Sequence, residues 1–249
     1  MGAVELLLVR HGESEANVAA TSAERTKQDR IPVPARDPDV VLSPAGIEQA
    51  RALGAHLTEL GADRRPDALW VSPYKRTRQT AQLAMEAAGF DLVPRFDERL
   101  RDRELGLIDA LTGRGVTHLH PDEAQRRRWV GKFYYRPPGG ESWADVALRL
   151  RSLMMDIDRD EDGKRVLIVC HDAVIRLFRY VCERLDEETV VEIARKTPVP
   201  NASITRLVRP SGEGVWGAED VSATAHLEDE GAPVTVQEST EGKADAVEA

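Results

Sequence analysis

Three apolar runs in this chain stop abruptly at basic residues. Residues 4–9 run into Arg10-His11-Gly12, residues 165–170 into His171-Asp172, and residues 68–71 into Ser72-Pro73 with Arg76 just beyond. Histidine is the side chain that switches most readily between base, acid and nucleophile near neutral pH. Arginine presents a planar fork of N–H donors that matches the oxygens of a phosphate. Two of each, delivered to one place, make a compact anion pocket with phosphate as its natural guest.

Strand-to-helix junctions would deliver them. In parallel α/β sheets ligands bind beyond the carboxyl ends of the strands. Helix N-termini there add N–H groups and the positive end of a dipole. Short apolar runs alternate here with helical stretches, which is the pattern of an α/β three-layer sandwich with a mostly parallel central sheet flanked by helices. Strands are expected at 4–9, 68–71, 165–170 and 202–208, with a further short one at 91–93. A helix is expected from Ser14. Ser43-Pro44 opens another with an N-cap residue and a proline at the first helical position. Ile47, Ala50, Leu53, Leu57 and Leu60 give it one apolar face, and Gly61 ends it. Ser72-Pro73 is read as repeating the device for a helix closed by Gly89. Further helices are expected at 121–130, 142–160 and 173–184. Apart from the first of these, residues 97–140 read as irregular, a charge-rich insertion suited to covering the strand ends and selecting the substrate.

The 249 residues suffice for one substantial domain, expected over residues 1–210. The net charge of −9 is unevenly spread: residues 219–249 hold nine acids and one base, so the body is nearly neutral. Residues 211–249 are acidic and poor in large apolar side chains, and are expected to be disordered. A near-neutral body argues against a nucleic-acid partner. No apolar run reaches the roughly 20 residues that span a bilayer, so no membrane partner is expected. Arg10 and His11 also interrupt the only early apolar run that could serve a signal peptide. Cys170 and Cys182 are too few for a disulfide framework and read as buried thiols of a cytoplasmic protein. His118 and His120 form an isolated pair and His56 sits on a plain helix, so no metal site and no cofactor are expected. The expected partner is a small phosphorylated metabolite, with a second copy of the chain as the one protein partner considered.

Longer motifs surround these residues. Leu8-Val9-Arg10-His11-Gly12-Glu13-Ser14-Glu15-Ala16-Asn17 resembles the signature of the histidine phosphatase superfamily, which includes the cofactor-dependent phosphoglycerate mutases. Ser72-Pro73-Tyr74-Lys75-Arg76-Thr77-Arg78-Gln79-Thr80-Ala81 resembles its second basic segment. Gly140-Glu141-Ser142 and Val169-Cys170-His171-Asp172-Ala173-Val174-Ile175-Arg176 resemble the third and fourth, in wording similar to fructose-2,6-bisphosphatases. Together the motifs span residues 4–208.

The resemblance implies a phosphoglycerate mutase-like fold and a two-step transfer through a phosphohistidine at His11. It assigns Arg10, Asn17, Arg76 and His171 to the phosphate, four donors able to hold its charge without a metal. It also places a carboxyl acid at Asp102, where the family usually has Glu; Glu104 is the alternative. Asp172 departs from the family's Gly or Gln and is expected to pair with Arg176, one turn on, or to meet a substrate hydroxyl. Arg126, Arg127, Arg128 and Lys132 could hold a second anion or simply face solvent. Phe133-Tyr134-Tyr135-Arg136 offers a partly apolar wall with a guanidinium. The expected activity is a phosphomonoesterase, against a mutase of the same chemistry and an inactive phosphate-binding scaffold. No nucleotide-binding P-loop accompanies these motifs, so fructose 2,6-bisphosphate is a candidate substrate by analogy only.

Overall fold

The computed structural model describes residues 1–33 and 35–237. In chain order its elements are β1 (Glu5–Arg10), α1 (Glu15–Arg25), α2 (Pro44–Glu59), β2 (Ala68–Val71), α3 (Lys75–Ala88), β3 (Pro94–Phe96), α4 (Gly113–Leu119), α5 (Pro121–Val130), α6 (Trp143–Asp160), β4 (Arg165–Cys170), α7 (Asp172–Cys182), α8 (Glu187–Lys196), β5 (Ile204–Val208), β6 (Gly217–Ala223) and α9 (Ala225–Asp229). One six-stranded sheet runs β3-β2-β4-β1-β5-β6. β3, β2, β4 and β1 are parallel, β5 runs antiparallel to β1, and β6 runs antiparallel to β5.

Strand residues alternate between two cores, as the two-residue period of a strand requires. Leu6, Leu8, Val166 and Ile168 face α6 and α7, against Val146, Leu150, Leu153 and Phe178. Leu7, Val9, Leu167 and Val169 face α2 and α3, against Leu53, Leu57, Ala81 and Ala84. The outcome is a three-layer sandwich with both sheet faces covered. Each buried aliphatic side chain contributes roughly 1.5–3 kcal/mol, so Leu150→Ala in α6 should cost about 2–5 kcal/mol.

Register brings the chemistry to one edge. Arg10 lies opposite Cys170 in the β1–β4 pairing, and Val71 opposite Val169 in the β2–β4 pairing. The three strands therefore finish level with one another. Beyond β1 the chain passes against the start of α2 at a glycine pair. A Cβ on Gly12 would lie 2.5 Å from the Gly46 carbonyl oxygen, and one on Gly46 would lie 2.0 Å from that of Glu13. Neither backbone can retreat without moving the turn that carries His11.

Several expectations change. Residues 97–140 are not irregular beyond α5: α4 precedes it, and Ile108, Leu111, Val116, Ala124 and Tyr135 close a small core of their own. The strand expected at 91–93 forms at β3, and α8 was not foreseen. The expected disorder of residues 211–249 is corrected for its described part. β6 gains order by backbone pairing with β5 rather than by apolar side chains, and Leu227 of α9 is fully buried beside Ala52 and Ala202. Residues 238–249 of that acidic segment lie outside the described residues. Cys170 and Cys182 are buried and unpaired with each other. Among the described residues no helix is long and apolar enough to cross a membrane.

Candidate active site

His11 is the first residue past β1 and is 3% exposed. Its Nδ1 lies 2.7 Å from its neighbour Gly12's carbonyl oxygen. A carbonyl only accepts, so Nδ1 carries the proton and Nε2 keeps its lone pair. Arg76 Nε donates to that Nε2 at 3.2 Å. Burial, with Arg76, His171 and Arg10 adding positive charge, holds the His11 pKa well below the usual histidine value. The ring is thus held neutral, with its unprotonated Nε2 facing Arg76.

Arg10 and Asn17 flank it. Ser14 caps α1, and the Asn17 side chain returns the bond to the Ser14 backbone in a capping box. That contact commits the Asn17 amide oxygen and turns its NH2 outward. Arg10 donates one nitrogen to the Val199 carbonyl, and its Nε is buried without a hydrogen-bond partner among the described residues. Burial lowers the Arg10 pKa, with Arg176 and Arg76 working the same way and Asp172 and Asp102 opposing.

His171 is fully buried beside His11 and outside the residues that line the cavity, its ring centroid 5.3 Å from that of His11 at 64°. Its Nε2 is 2.8 Å from the Ser72 hydroxyl. Its Nδ1 is 3.3 Å from Asp102 Oδ2 and 3.4 Å from Arg76 Nη2. The Ser72 hydroxyl is therefore spent on His171 rather than on a helix cap: α3 begins at Lys75 behind Tyr74, without a side-chain cap. Tyr74 meanwhile packs its ring edge-on against His171. Arg76, 2% exposed, also donates to Asp37 Oδ1 at 2.9 Å and to Asp102 Oδ2 at 3.1 Å.

Two candidate acids have opposite electrostatics. Burial would raise the Asp102 pKa, but His171, Arg76 and the Arg103 amide outweigh it and hold this carboxyl well below the usual range. Glu104 is pushed up, by burial first and then by Asp37 and Asp109. Asp102 touches Arg76 and His171. Glu104 stands further out, 3.5 Å from the Tyr74 hydroxyl.

Arg10, His11, Asn17, Arg76, Asp102 and Asp172 all line one cavity of about 260 Å³, and Glu104 lines its outer part. Arg136 does not: it is an exposed residue paired with Asp145 at the start of α6. Asp145, beside the α6 cap, holds the guanidinium away from the cavity. Asp172 and Arg176 do pair, and Arg176 adds a bond to the Thr197 carbonyl at 2.8 Å, which keeps it outside the cavity. None of Arg126, Arg127, Arg128 and Lys132 lines the cavity either; Lys132 lies over the Trp143 ring at 4.8 Å.

Sequence reading missed Ser72, Asp37 and Asn201. Asn201 Nδ2 donates to the His11 carbonyl at 3.1 Å and to Asn17 Oδ1 at 3.3 Å. Ser72 already ends an apolar run, a usable signal. Asp37 and Asn201 sit in loops whose approach only the tertiary fold sets. Among the described residues, no three His, Cys, Asp or Glu side chains are grouped to hold a metal ion.

The parallel strands thus bring Arg10, His11 and His171 to one edge of the sheet, with Arg76 just beyond in α3, a set of donors whose chemistry suits a phosphate. The family model for the histidine phosphatase superfamily (branch 1) matches residues 6–218, and the chain belongs to that superfamily. It is 30% identical over 198 residues to a 2,3-bisphosphoglycerate-dependent phosphoglycerate mutase of Sinorhizobium fredii, covering 78% of this chain and 87% of that protein. It is 32% identical over 185 residues to the human 6-phosphofructo-2-kinase/fructose-2,6-bisphosphatase 3, covering 74% of this chain but only 30% of that longer protein. A mycobacterial glucosyl-3-phosphoglycerate phosphatase superposes with a TM-score of 0.69 at 27% identity, covering 89% of this chain and 99% of that one.

Proposed function

We propose that this chain hydrolyses a small phosphomonoester through a phosphohistidine at His11. The observation that carries the proposal is the fixed tautomer: Nδ1 is tied to the Gly12 carbonyl, and Nε2 is turned toward Arg76 in a cavity shared with Arg10 and Asn17. In the first step His11 Nε2 forms a bond to phosphorus while the ester P–O bond breaks. Arg10, Asn17, Arg76 and His171 hold the charge spread over the phosphoryl oxygens. Asp102 gives a proton to the departing alkoxide. In the second step Asp102 takes a proton from water as that water attacks phosphorus, and the P–N bond electrons return to Nε2.

His171 and Arg76 hold Asp102 ionised, so it takes up a proton as the substrate binds. A bound phosphate draws Arg76 and His171 onto its own oxygens and adds negative charge beside the carboxylate. Both changes raise the Asp102 pKa.

The relatives bring a second reading, transfer to a bound product as in a mutase. Hydrolysis is favoured because the basic run of residues 126–128 and Lys132 stays out of the cavity, while Asp37, Glu104 and Asp109 line its outer part. Arg36 and Arg103 also line the cavity, but Arg36 is paired with Asp39 and Arg103 is bonded to the Glu141 and Tyr135 carbonyls, so a second phosphate or carboxylate would meet committed guanidiniums among carboxylates. A labelled phosphomonoester should give an acid-labile, alkali-stable phosphoprotein whose label leaves as inorganic phosphate. Label recovered as an isomerised ester would establish the mutase, and no label on wild type would leave a scaffold.

A further inference from the structure

The part of the described chain after α9 returns to the active site. Its course is fixed by two buried amides. Gln49 of α2, fully buried, donates to the Pro233 carbonyl at 2.7 Å and to the Thr235 hydroxyl at 2.8 Å. The Asn201 backbone N–H donates to the Thr235 carbonyl at 3.0 Å, and its Oδ1 accepts from the Thr235 hydroxyl at 3.2 Å. Both anchors also touch the catalytic turn, since Gln49 accepts from the Glu13 N–H and Asn201 donates to the His11 carbonyl. Two residues beyond Thr235, Gln237 lines the cavity. Its Oε1 accepts from Arg10 Nη2 at 3.3 Å and from Asn17 Nδ2.

An uncharged acceptor oxygen therefore occupies the donors that the proposed reaction needs for a phosphoryl oxygen. We infer that residues 233–237 form a built-in competitor of the substrate phosphate, with the Gln237 amide oxygen as the surrogate that has to leave before a phosphomonoester can bind. This rests on the phosphatase reading given above. The competitor is tethered, so its local concentration is high although each contact is weak. It does not need to be strong: a site occupied nine-tenths of the time lowers apparent phosphate affinity about tenfold. A neutral amide is also the right strength of competitor, because a charged phosphate makes shorter and stronger bonds to the same donors.

The sign of the effect separates this role from a substrate-assisting one. Gln237→Ala removes the surrogate oxygen, and Gln237→Glu replaces it with a charged one. Inorganic phosphate binding is measured by calorimetry on the full-length chain, alongside KM for a small phosphomonoester. Gln237→Ala should lower both the phosphate Kd and KM about three- to tenfold with kcat changed less than twofold. Gln237→Glu should raise both. Thr235→Ala, which loosens the anchor, should move in the direction of Gln237→Ala by a smaller factor. Equal phosphate affinity in wild type and both Gln237 variants would overturn the competitor and leave the phosphatase standing. A weaker phosphate affinity in Gln237→Ala would make Gln237 a substrate ligand instead. Failure of every form, wild type included, to bind phosphate would overturn both readings.

Discussion

The two ends of the cavity are built from different material. The inner end hangs on the last residues of β1, β2 and β4, strands buried on both faces and finishing level with one another. The outer end is made from residues 31–33, 35–40 and 104–111, loop segments with helical turns only three residues long. A reaction that needs donors placed to within fractions of an ångström belongs on the first kind of support. Recognition of the rest of the substrate tolerates the second, where a loop can change without disturbing the sheet.

That contrast orders the expected effects of substitution. His11→Ala should abolish the phosphoprotein and reduce turnover by about 10⁴-fold or more, since nothing else in the pocket replaces the nucleophile. Asp102→Asn should lower kcat by about 10²–10⁴-fold, the usual worth of a positioned acid. Glu104→Gln at the outer end should change it less than about fivefold; the reverse ranking would move the acid outward. Arg76→Ala should cost about 10²–10³-fold, as for a lost transition-state donor, while Arg136→Ala should stay within twofold.

The protonation states give a pH test of the same contrast. His11 is held below its ordinary value, so its neutral form persists as pH falls below about 6.5 and the nucleophile survives into acid. Asp102 starts ionised, so phosphate binding should take up a proton. Calorimetry in buffers of different ionisation enthalpy would show that uptake in wild type and its loss in Asp102→Asn. For folding the sign is opposite. His11, His171 and His226 all have depressed pKa values, His226 at about 4, so the unfolded chain takes up protons first. Their contribution to stability should be lost as pH drops below about 6.5, lowering Tm.

The inner end was legible in the sequence because its residues are adjacent to the patterns that build the fold. Arg10, His11 and His171 follow apolar runs, and Ser14 and Asn17 stand at capping-box spacing. Register then needed no foresight, since parallel strands of similar length finish together. Contacts made across the chain stayed hidden. Asp37 reaches Arg76 from a loop of mixed composition, and Asn201 and Gln237 arrive from the antiparallel side of the sheet. β6 was misread because its run Gly217-Ala218-Glu219-Asp220-Val221-Ser222-Ala223 has few large apolar residues, and its order comes from backbone pairing. Nothing in the local sequence of Arg136 reveals its pairing with Asp145, which holds it outside the cavity.

Cys170 closes β4 one residue before His171 and is fully buried, with burial pushing its thiol pKa well up; Cys182 is buried in the same way. Neither sulfur presents a thiolate to solvent in the native fold. Alkylating reagents should therefore leave turnover intact, although one thiol adjoins His171. They should label the chain only when it opens. The two cysteines make a ready reporter of unfolding, a clock whose rate reads how often the sheet comes apart.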